Sequence, residues 1–370
     1  MNEQSWYTIT DIEKLDTPAL VIYPGRVKEN INILKGMIDD VSRLRPHVKT
    51  HKSKEAALLM LDAGITKFKC ATIAEAEMLG LSNAPDVLLA YQPVGPKLAR
   101  FIQLIKTYPS TQFSCLVDNH TAAKNISDTA LANGLKINVY IDLNVGMNRT
   151  GIVPGEALQL YIDCNTLPGI KLIGLHAYDG QIHDTDLGIR TQICNEAFEP
   201  VKKLQEDIQQ KGYPKPIIIA GGSPTFPIHS KREEVECSPG TFIYWDRGYS
   251  LICAEQPFQT AALVVSRVIS LPDETKLCLD VGHKSVSAEN ELAKRIYFLN
   301  APELSMWGQS EEHLVVDAGK GHHYKVGDVL YGLPYHICPT VALYERTMTI
   351  EDHKISGEWR NIARDRKINI

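Results

Sequence analysis

The sequence predicts an α/β fold, a closed (β/α)8 TIM-like barrel followed by a C-terminal all-β domain. From about residue 20 to 250, short apolar runs alternate with segments whose apolar residues recur at the i, i+3 and i+4 spacing of a helix. Strands and helices that alternate in this way form a parallel sheet covered by helices. After about residue 255 the helical period disappears, and strand-like runs separated by Pro, Gly, Asp and Asn continue for roughly a hundred residues.

Eight strand-like runs favour a closed barrel over an open, doubly wound sheet. In order they are RLRPHVK, FKCAT, DVLLAY, FSCLVD, INVYIDL, IKLIGLHAY, PIIIAGG and TFIYW. The earlier run LVIY is left over and could pair with the C-terminal region, which would make the second domain discontinuous. The expected domains are residues 17–255 for the barrel and 256–370 for the β domain, to which residues 1–16 would be joined.

The composition narrows the class of protein. With 44% hydrophobic and 22% charged residues the chain is globular, and its net charge of -5 without a basic stripe argues against nucleic acid as a partner. No secretory signal and no apolar run of the ~20 residues that a membrane span needs are present. Eight scattered cysteines without CxxC spacing indicate a reducing compartment. We therefore expect a cytoplasmic protein that does not enter the membrane.

The segment RPHVKTHK contains the first candidate for chemistry. In a barrel, catalytic residues lie at the carboxyl ends of the strands, which is where Lys49 falls. Positive histidines on both sides, His47 and His51, together with partial desolvation would favour a neutral, nucleophilic amine. The alternative is a polar strand end on the surface, and this segment alone does not decide between the two.

Two glycine-containing turns on the same edge favour the functional interpretation. AGGSPT and SPGTFIYWD follow neighbouring runs, where TIM barrels often bind phosphate, and backbone N–H groups in such turns can hold an anion. A single glycine-rich turn usually only closes a loop. The two together, opposite a lysine, indicate a phosphorylated aldehyde cofactor. The other candidates at strand ends are Arg149, His176, Tyr178, His183 and Gly221.

Motifs across nearly the whole chain, in the same order, resemble the D-threonine aldolase and D-serine dehydratase family, relatives of alanine racemase. They are TPALVIY, RPHVKTHK, IDLNVGMNRTG, HAYDGQ, GGSPT, PGTFIYWD, LDVGHKSVS, SEEHLVV and PYHICPT. The resemblance implies a pyridoxal 5'-phosphate enzyme of fold type III, usually a homodimer, that acts on a small D-amino acid and uses a divalent metal.

The resemblance also implies roles for individual residues. The lysine matching Lys49 forms the Schiff base with the cofactor, the arginine matching Arg149 lies near its phenolic oxygen, and Tyr178 falls where a tyrosine approaches the pyridine ring. The remaining implied cofactor-binding residues, in the two phosphate-binding turns, are Gly222, Ser223, Gly240 and Thr241.

His336 and Cys338, in PYHICPT, are candidate metal ligands. Two residues apart on a strand, they would point to one face, and imidazole and thiolate are good zinc ligands. Taken alone, the pair is more often a buried cysteine beside a structural histidine. The resemblance implies that both are metal ligands; the thiolate favours zinc, whereas aldolases of the family often use manganese.

The parts allow two reactions on a D-3-hydroxy amino acid. If a base removes the proton of the 3-hydroxyl, a retro-aldol step gives glycine and an aldehyde; if Lys49 takes the α-proton and hydroxide leaves, the products are a 2-oxo acid and ammonia. His183 is the candidate base, because HAYDGQIHD resembles the aldolase branch, although it could be a solvated loop histidine. The HxC pair is closer to the dehydratases. We expect the aldolase reaction.

Two other classes stay open. A racemase would use both domains and needs an acid or base on the other face of the cofactor, for which Tyr331 and Tyr335 are available. A non-catalytic carrier of pyridoxal phosphate would share the barrel and the lysine, but proteins of that class lack the β domain and the HxC pair.

Overall fold

The computed structural model describes residues 5–370 and contains two sheets. The barrel strands are β2 (Lys67–Cys70), β3 (Asp86–Leu89), β4 (Gln112–Val117), β5 (Ile137–Asp142), β6 (Ile170–Ala177), β7 (Ile217–Ala220) and β8 (Val235–Cys237). The helices of this half are α1 (Pro24–Gly36), α2 (Lys54–Asp62), α3 (Ile73–Leu81), α4 (Pro96–Thr107), α5 (His120–Ala132), α6 (Ala157–Asn165), α7 (Leu187–Gln210), α8 (Phe226–His229) and α9 (Arg247–Ile252). The other strands are β1 (Ala19–Ile22), β9 (Ala262–Ser270), β10 (Lys276–Leu279), β11 (Ile296–Phe298), β12 (Ser305–Gln309), β13 (Leu314–Asp317), β14 (Val329–Pro334), β15 (Arg346–Glu351) and β16 (Lys354–Arg360), with one helix among them, α10 (Ile337–Val341).

The parallel sheet runs in the order β2 to β8, and residues 44–48 close it into a barrel. On one side of this segment Leu44 bridges Cys237 of β8, and on the other His47 bridges Lys69 of β2. The N–H of Val48 donates to the carbonyl oxygen of Lys69 at 2.9 Å. The predicted parallel barrel is confirmed, with the run RLRPHVK as an irregular first strand that places Lys49 at its carboxyl end.

The last barrel strand is not the predicted one. The run TFIYW forms a short 3-10 turn, Thr241–Ile243, and the strand before it, β8, carries Glu236 at its centre. Glu236 accepts a hydrogen bond from Arg45 Nε at 2.7 Å and also pairs with Lys67. Because a charged residue lies at the centre of β8, the strand does not read as an apolar run. The run TFIYW is apolar because all five of its residues are buried, although it is not a strand.

The second sheet has nine strands and includes β1. β1 pairs antiparallel with β9 and parallel with β15, so the run LVIY joins the C-terminal sheet rather than the barrel. The predicted boundaries 17–255 and 256–370 place this strand with the barrel, whereas its hydrogen-bonded neighbours lie after residue 261. The division near residue 255 stays a prediction.

Helix α10 replaces a predicted strand. The segment CPTVALYERTMTI is one of the strand-like runs after residue 255, but its first part forms α10 and only Arg346–Glu351 is a strand. His336 is therefore the N-cap of a short helix and Cys338 lies in its first turn. The predicted strand geometry for this pair is wrong, although the two side chains still meet.

None of the helices in residues 5–370 combines the length and apolar character that crossing a bilayer requires. All eight cysteines are free thiols.

Candidate active site

Lys49 lies in a turn that the neighbouring elements anchor. The N–H of Lys52 donates to the carbonyl oxygen of Val48 at 3.1 Å, and Lys52 adopts a left-handed backbone, with φ of 52°. A left-handed backbone conformation is unfavourable for residues other than glycine, so the conformation of Lys52 needs support from its neighbours. The buried carboxylate of Glu75, on α3, pairs with the Lys52 ammonium, and the N–H of Ala363 donates to the Lys52 carbonyl at 3.1 Å.

The two histidines beside Lys49 are neutral at pH 7. Burial lowers the pKa of His51 to about 3, and burial together with Lys49 and Lys69 lowers the pKa of His47 well below its usual value. His47 Nδ1 also accepts the N–H of Lys49 at 3.3 Å, as a neutral imidazole can. The expectation that positive histidines flank Lys49 is therefore wrong.

The positive neighbour is instead a second lysine, Lys69. It is 3% exposed, and its Nζ lies 3.4 Å from Nε2 of His176. His176 Nδ1 lies 2.7 Å from Oδ1 of Asp142. Burial, followed by the charge of Lys49, lowers the pKa of Lys69 to about 7. Three strands thus place an amine, an imidazole and a carboxylate in one row inside the barrel.

The row opens into a pocket whose wall also contains Arg149 and Tyr178. The Arg149 guanidinium carbon and Lys69 Nζ each lie 5.3 Å from the centre of the Tyr178 ring. Tyr178 fits between two glycines, because a Cβ on Gly180 would come within 2.5 Å of its ring and one on Gly222 within 3.1 Å. The predicted group Lys49, Arg149 and Tyr178 therefore lies around one cavity.

The two predicted phosphate-binding turns meet beside this pocket. The N–H groups of Gly240 and Thr241 converge on Ser223 Oγ, at 3.3 and 3.2 Å. A Cβ on Gly240 would lie 3.1 Å from the carbonyl oxygen of His47, so a larger residue here would have to push that backbone back by a few tenths of an ångström. Gly222 also lies in this cluster, next to the Tyr178 ring.

Behind these turns, Asp179, Cys194 and His229 form a buried cluster whose polar atoms lie within 4.8 Å of one another. These residue types can bind a metal, but hydrogen bonds already account for the arrangement. Asp179 accepts from Thr225 Oγ1 at 2.8 Å and pairs with His229 Nε2 at 2.9 Å, while His229 Nδ1 lies 3.3 Å from Arg232. The cluster fixes the loops that carry Tyr178 and Ser223 relative to each other.

Cys338 contacts the turn that carries Lys49, and His336 lines a neighbouring pocket. Cys338 Sγ is 3.2 Å from Oγ1 of Thr50, the residue after Lys49, and 3.8 Å from Oγ1 of Thr241. Burial would raise the pKa of the Cys338 thiol, but the hydrogen bond and charge of His336 outweigh it and the net pKa is lowered. His336 Nδ1 is bound by the carboxylate of Glu289. Although burial opposes it, Cys338 and Glu289 raise the pKa of His336 to about 9, so a metal would have to displace that proton to bind a neutral imidazole together with a Cys338 thiolate.

Asp246 docks this turn onto the barrel. It is 1% exposed, and its two carboxylate oxygens accept the N–H groups of Tyr249 and Ile337, both at 2.9 Å. The N–H of Gly248 donates to the carbonyl oxygen of Tyr335 at 3.0 Å. One buried carboxylate thus caps α9 of the barrel and holds the start of α10.

His183 lines a second pocket together with His336 and Tyr335. Its ring is exposed, and Nδ1 lies 2.7 Å from the carbonyl oxygen of Gln181. If Nδ1 donates in that bond, Nε2 is left as the free acceptor. By contrast, Tyr331, a possible acid of a racemase, is buried and its hydroxyl accepts the N–H of Ile9 at 3.2 Å.

Sequence reasoning missed Lys69, Asp142, Asp246 and Glu289. For Lys69 and Asp142 a signal existed, since both are charged residues inside runs that had to be strands buried on both faces. For Asp246 and Glu289 no such signal existed, because acidic residues are common in loops.

Two known protein families match this chain, one in each half. The model of the family described as "Alanine racemase, N-terminal domain" matches residues 22–248, and the one described as "Putative serine dehydratase domain" matches residues 261–350.

Individual relatives cover nearly the whole chain. A D-threonine aldolase of Arthrobacter sp. is 28% identical over 95% of this chain and 94% of its own length. A D-threo-3-hydroxyaspartate dehydratase of Delftia sp. (strain HT23) is 26% identical over 89% of this chain and 93% of its own. The crystal structure of D-threonine aldolase from Filomicrobium marinum superimposes with a TM-score of 0.86 at 23% identity, covering 94% of this chain and 95% of that one.

Proposed function

Because the chain belongs to the family with an alanine racemase N-terminal domain, and carries a serine dehydratase domain after it, we propose that it is a pyridoxal-phosphate-dependent lyase that acts on small D-3-hydroxy amino acids. One observation carries the proposal. Cys338 of the second domain lies 3.2 Å from Thr50, the residue after the candidate cofactor lysine. A metal at Cys338 and His336 would therefore face the same substrate as Lys49.

The residues around the first pocket fit pyridoxal phosphate. Lys49 would hold the aldehyde, Arg149 would lie near the phenolic oxygen and Tyr178 near the ring, while two converging N–H groups and two glycines suit the phosphate. The proposed phosphate-binding residues are Gly222, Ser223, Gly240 and Thr241. When bound, this cofactor supplies an electron-withdrawing ring that stabilises negative charge on the substrate.

The pair His336 and Cys338 fits a divalent metal. A protein site with two side-chain ligands leaves positions open for the substrate, as catalytic sites require. Glu289 on the far nitrogen of His336 is the carboxylate–histidine arrangement that orients metal ligands. The thiolate favours zinc over manganese. When bound, the ion would make a nearby substrate hydroxyl more acidic.

We propose the aldolase reaction as the main one. His183 lines the pocket that His336 also lines and has a free ring nitrogen, so it can take the proton of the 3-hydroxyl. The Cα–Cβ bond then breaks and the products are glycine and an aldehyde. The D-threonine aldolase among the relatives agrees with this reaction.

Dehydration is the second candidate, supported by the relative that dehydrates D-threo-3-hydroxyaspartate and by the HxC pair. Here Lys49 would remove the α-proton and the hydroxyl would leave, giving a 2-oxo acid and ammonia. The choice between the two reactions depends on whether a base reaches the hydroxyl before Lys49 reaches the α-proton.

Product analysis distinguishes the reactions. The protein, loaded with pyridoxal phosphate and a divalent metal, is incubated with D-threonine, D-serine and D-3-hydroxyaspartate. We expect glycine and the matching aldehyde; a 2-oxo acid would identify a dehydratase, and the L-isomer a racemase. His183→Ala should reduce glycine formation roughly 100-fold or more and leave the bound cofactor's absorbance unchanged. His313→Ala, an exposed histidine of the β domain, is the control and should change neither.

We further propose a cytoplasmic homodimer. Eight free thiols support a reducing compartment, and the racemase-like fold supports the dimer. Sedimentation equilibrium of the loaded enzyme should give twice the mass of one chain; a monomer with full activity would contradict this.

A further inference from the structure

The proposed function leaves the row Lys69, His176 and Asp142 without a role. All three are buried, and they lie on three different strands, so the row is not a surface ion pair. A lysine is almost never buried without a specific reason, because its charge loses the stabilisation of water. Here the amine lines the pocket that contains Lys49 and has one imidazole nitrogen as its hydrogen-bond partner.

The hydrogen bonds within the row of Lys69, His176 and Asp142 show which of its groups are protonated. Burial would raise the pKa of Asp142, but the hydrogen bond and charge of His176 hold it below its usual value, so Asp142 is a carboxylate and accepts from His176 Nδ1. Burial and Lys69 lower the pKa of His176, which is therefore neutral, and its Nε2 is an acceptor. Lys69 must donate one N–H to that nitrogen. Its remaining hydrogens, or its lone pair, face the pocket.

The surroundings of Lys69 oppose its charge more than they favour it. Burial and the charges of Lys49 and Arg45 disfavour its protonated form, and the carboxylates Asp142 and Asp179 offset only part of that effect. The other titratable groups facing the same pocket are His47, His176, Arg149 and Tyr178. The net result lowers the pKa of Lys69 to about 7, so its amine can gain or lose a proton near neutral pH, a property that a surface lysine lacks.

We propose that Lys69 is a positioning residue of the cofactor site, whose amine carries an exchangeable proton beside Lys49 and thereby changes the net charge that the site presents to the cofactor. In the protonated state the pocket holds the charge of Lys69 in addition to that of Arg149, which would stabilise the anionic phenolic oxygen of the cofactor more strongly. In the neutral state Lys69 keeps its hydrogen bond to His176 and the pocket carries one positive charge fewer. This inference rests on the proposed cofactor at Lys49.

The test follows the absorbance of the bound cofactor as a function of pH, from about 5.5 to 9.5, in the loaded enzyme. The wild type should show a transition. Lys69→Arg keeps the charge throughout this range and should give the low-pH spectrum at every pH, whereas Lys69→Met removes it and should give the high-pH spectrum at every pH. A residue that only fills space would not fix the spectrum at opposite ends in two variants.

Two further variants complete the test. Asp142→Asn removes a charge that favours protonated Lys69, so the transition should move to lower pH, and this holds even where Lys69→Met folds poorly. Lys67→Met changes a lysine of the same strand that pairs with Glu236 instead, and it should leave the transition in place. An unchanged transition in both Lys69 variants and in Asp142→Asn would overturn the inference. Wild-type protein that binds no pyridoxal phosphate would contradict the proposed function and this inference with it.

Discussion

Lys69 shows how much a single buried charge can matter in this fold. Its folded-state pKa of about 7 lies below the ordinary value of 10.5, so folding favours the neutral amine. The folded protein therefore bears the full electrostatic cost of Lys69 below about pH 7, where the amine is protonated in both states. As the pH rises from 7 towards 10.5, only the unfolded chain keeps the proton, and this cost disappears.

A pH series of unfolding curves should reveal this cost. We compare the free energy of unfolding of Lys69→Met with that of the wild type, both without cofactor. The variant's advantage over the wild type should be larger at pH 6 than at pH 9 by at least about 1 kcal/mol. Taking the difference between pH values removes the constant cost of leaving His176 Nε2 without its donor. Denaturant titration measures the free energy of unfolding at each pH. A difference between the two proteins that does not change with pH would contradict a lowered pKa for the buried Lys69 amine.

At the scale of elements, two short segments decide the geometry of the site. The irregular strand 44–48 closes the barrel and presents Lys49, while α10 presents His336 and Cys338. Asp246 connects the second of these segments to the barrel through two backbone hydrogen bonds. An unsatisfied buried N–H costs about 1–3 kcal/mol, so this carboxylate fixes where the proposed metal ligands His336 and Cys338 lie.

Asp246→Ala should therefore loosen the metal site without touching the cofactor. Two buried N–H groups lose their acceptor, and the start of α10 is no longer held at one position. We expect metal affinity to fall on the order of 10-fold or more, with pyridoxal phosphate still bound. Isothermal titration with zinc measures the change. Asp273→Ala is the matched control, since Asp273 accepts two backbone N–H groups in an exposed turn of the β domain and should not matter.

Sequence reasoning predicted some of these elements and not others, for physical reasons. The barrel strands with uninterrupted apolar runs were predictable, as was the grouping of Lys49, Arg149 and Tyr178 around one pocket. Strand β8 was not, because Glu236 interrupts it, and α10 was not, because a five-residue helix has too few residues to show a period. The charge state of His47 and His51 depends on burial, which the order of residues does not reveal.

At the scale of the whole molecule, the site requires both sheets. The first and last parts of the chain meet in one sheet through β1 and β15, and the second half delivers Cys338 to the turn of Lys49. The proposed cofactor-binding residues belong to the barrel and the proposed metal ligands to the C-terminal region. The two groups can therefore be lost separately.

Removing the metal should sharply reduce turnover but not the binding of the cofactor. Chelation, or Cys338→Ala, should leave the absorbance of bound pyridoxal phosphate in place while turnover falls on the order of 100-fold or more, with recovery on adding zinc or manganese only in the chelated wild type. Cys278→Ala, a partly buried free thiol of β10, is the control and should keep its activity. Full activity in protein shown to be free of metal would refute a metal at His336 and Cys338.

The central claim is that Lys49 carries the cofactor, and covalent trapping tests it most directly. Borohydride reduction of the protein loaded with pyridoxal phosphate makes the linkage to the lysine permanent, and mass spectrometry of the peptides then identifies that lysine. We predict modification of Lys49, within RPHVKTHK, and of no other residue. Modification of Lys52, Lys54 or Lys69 in place of Lys49 would contradict the account.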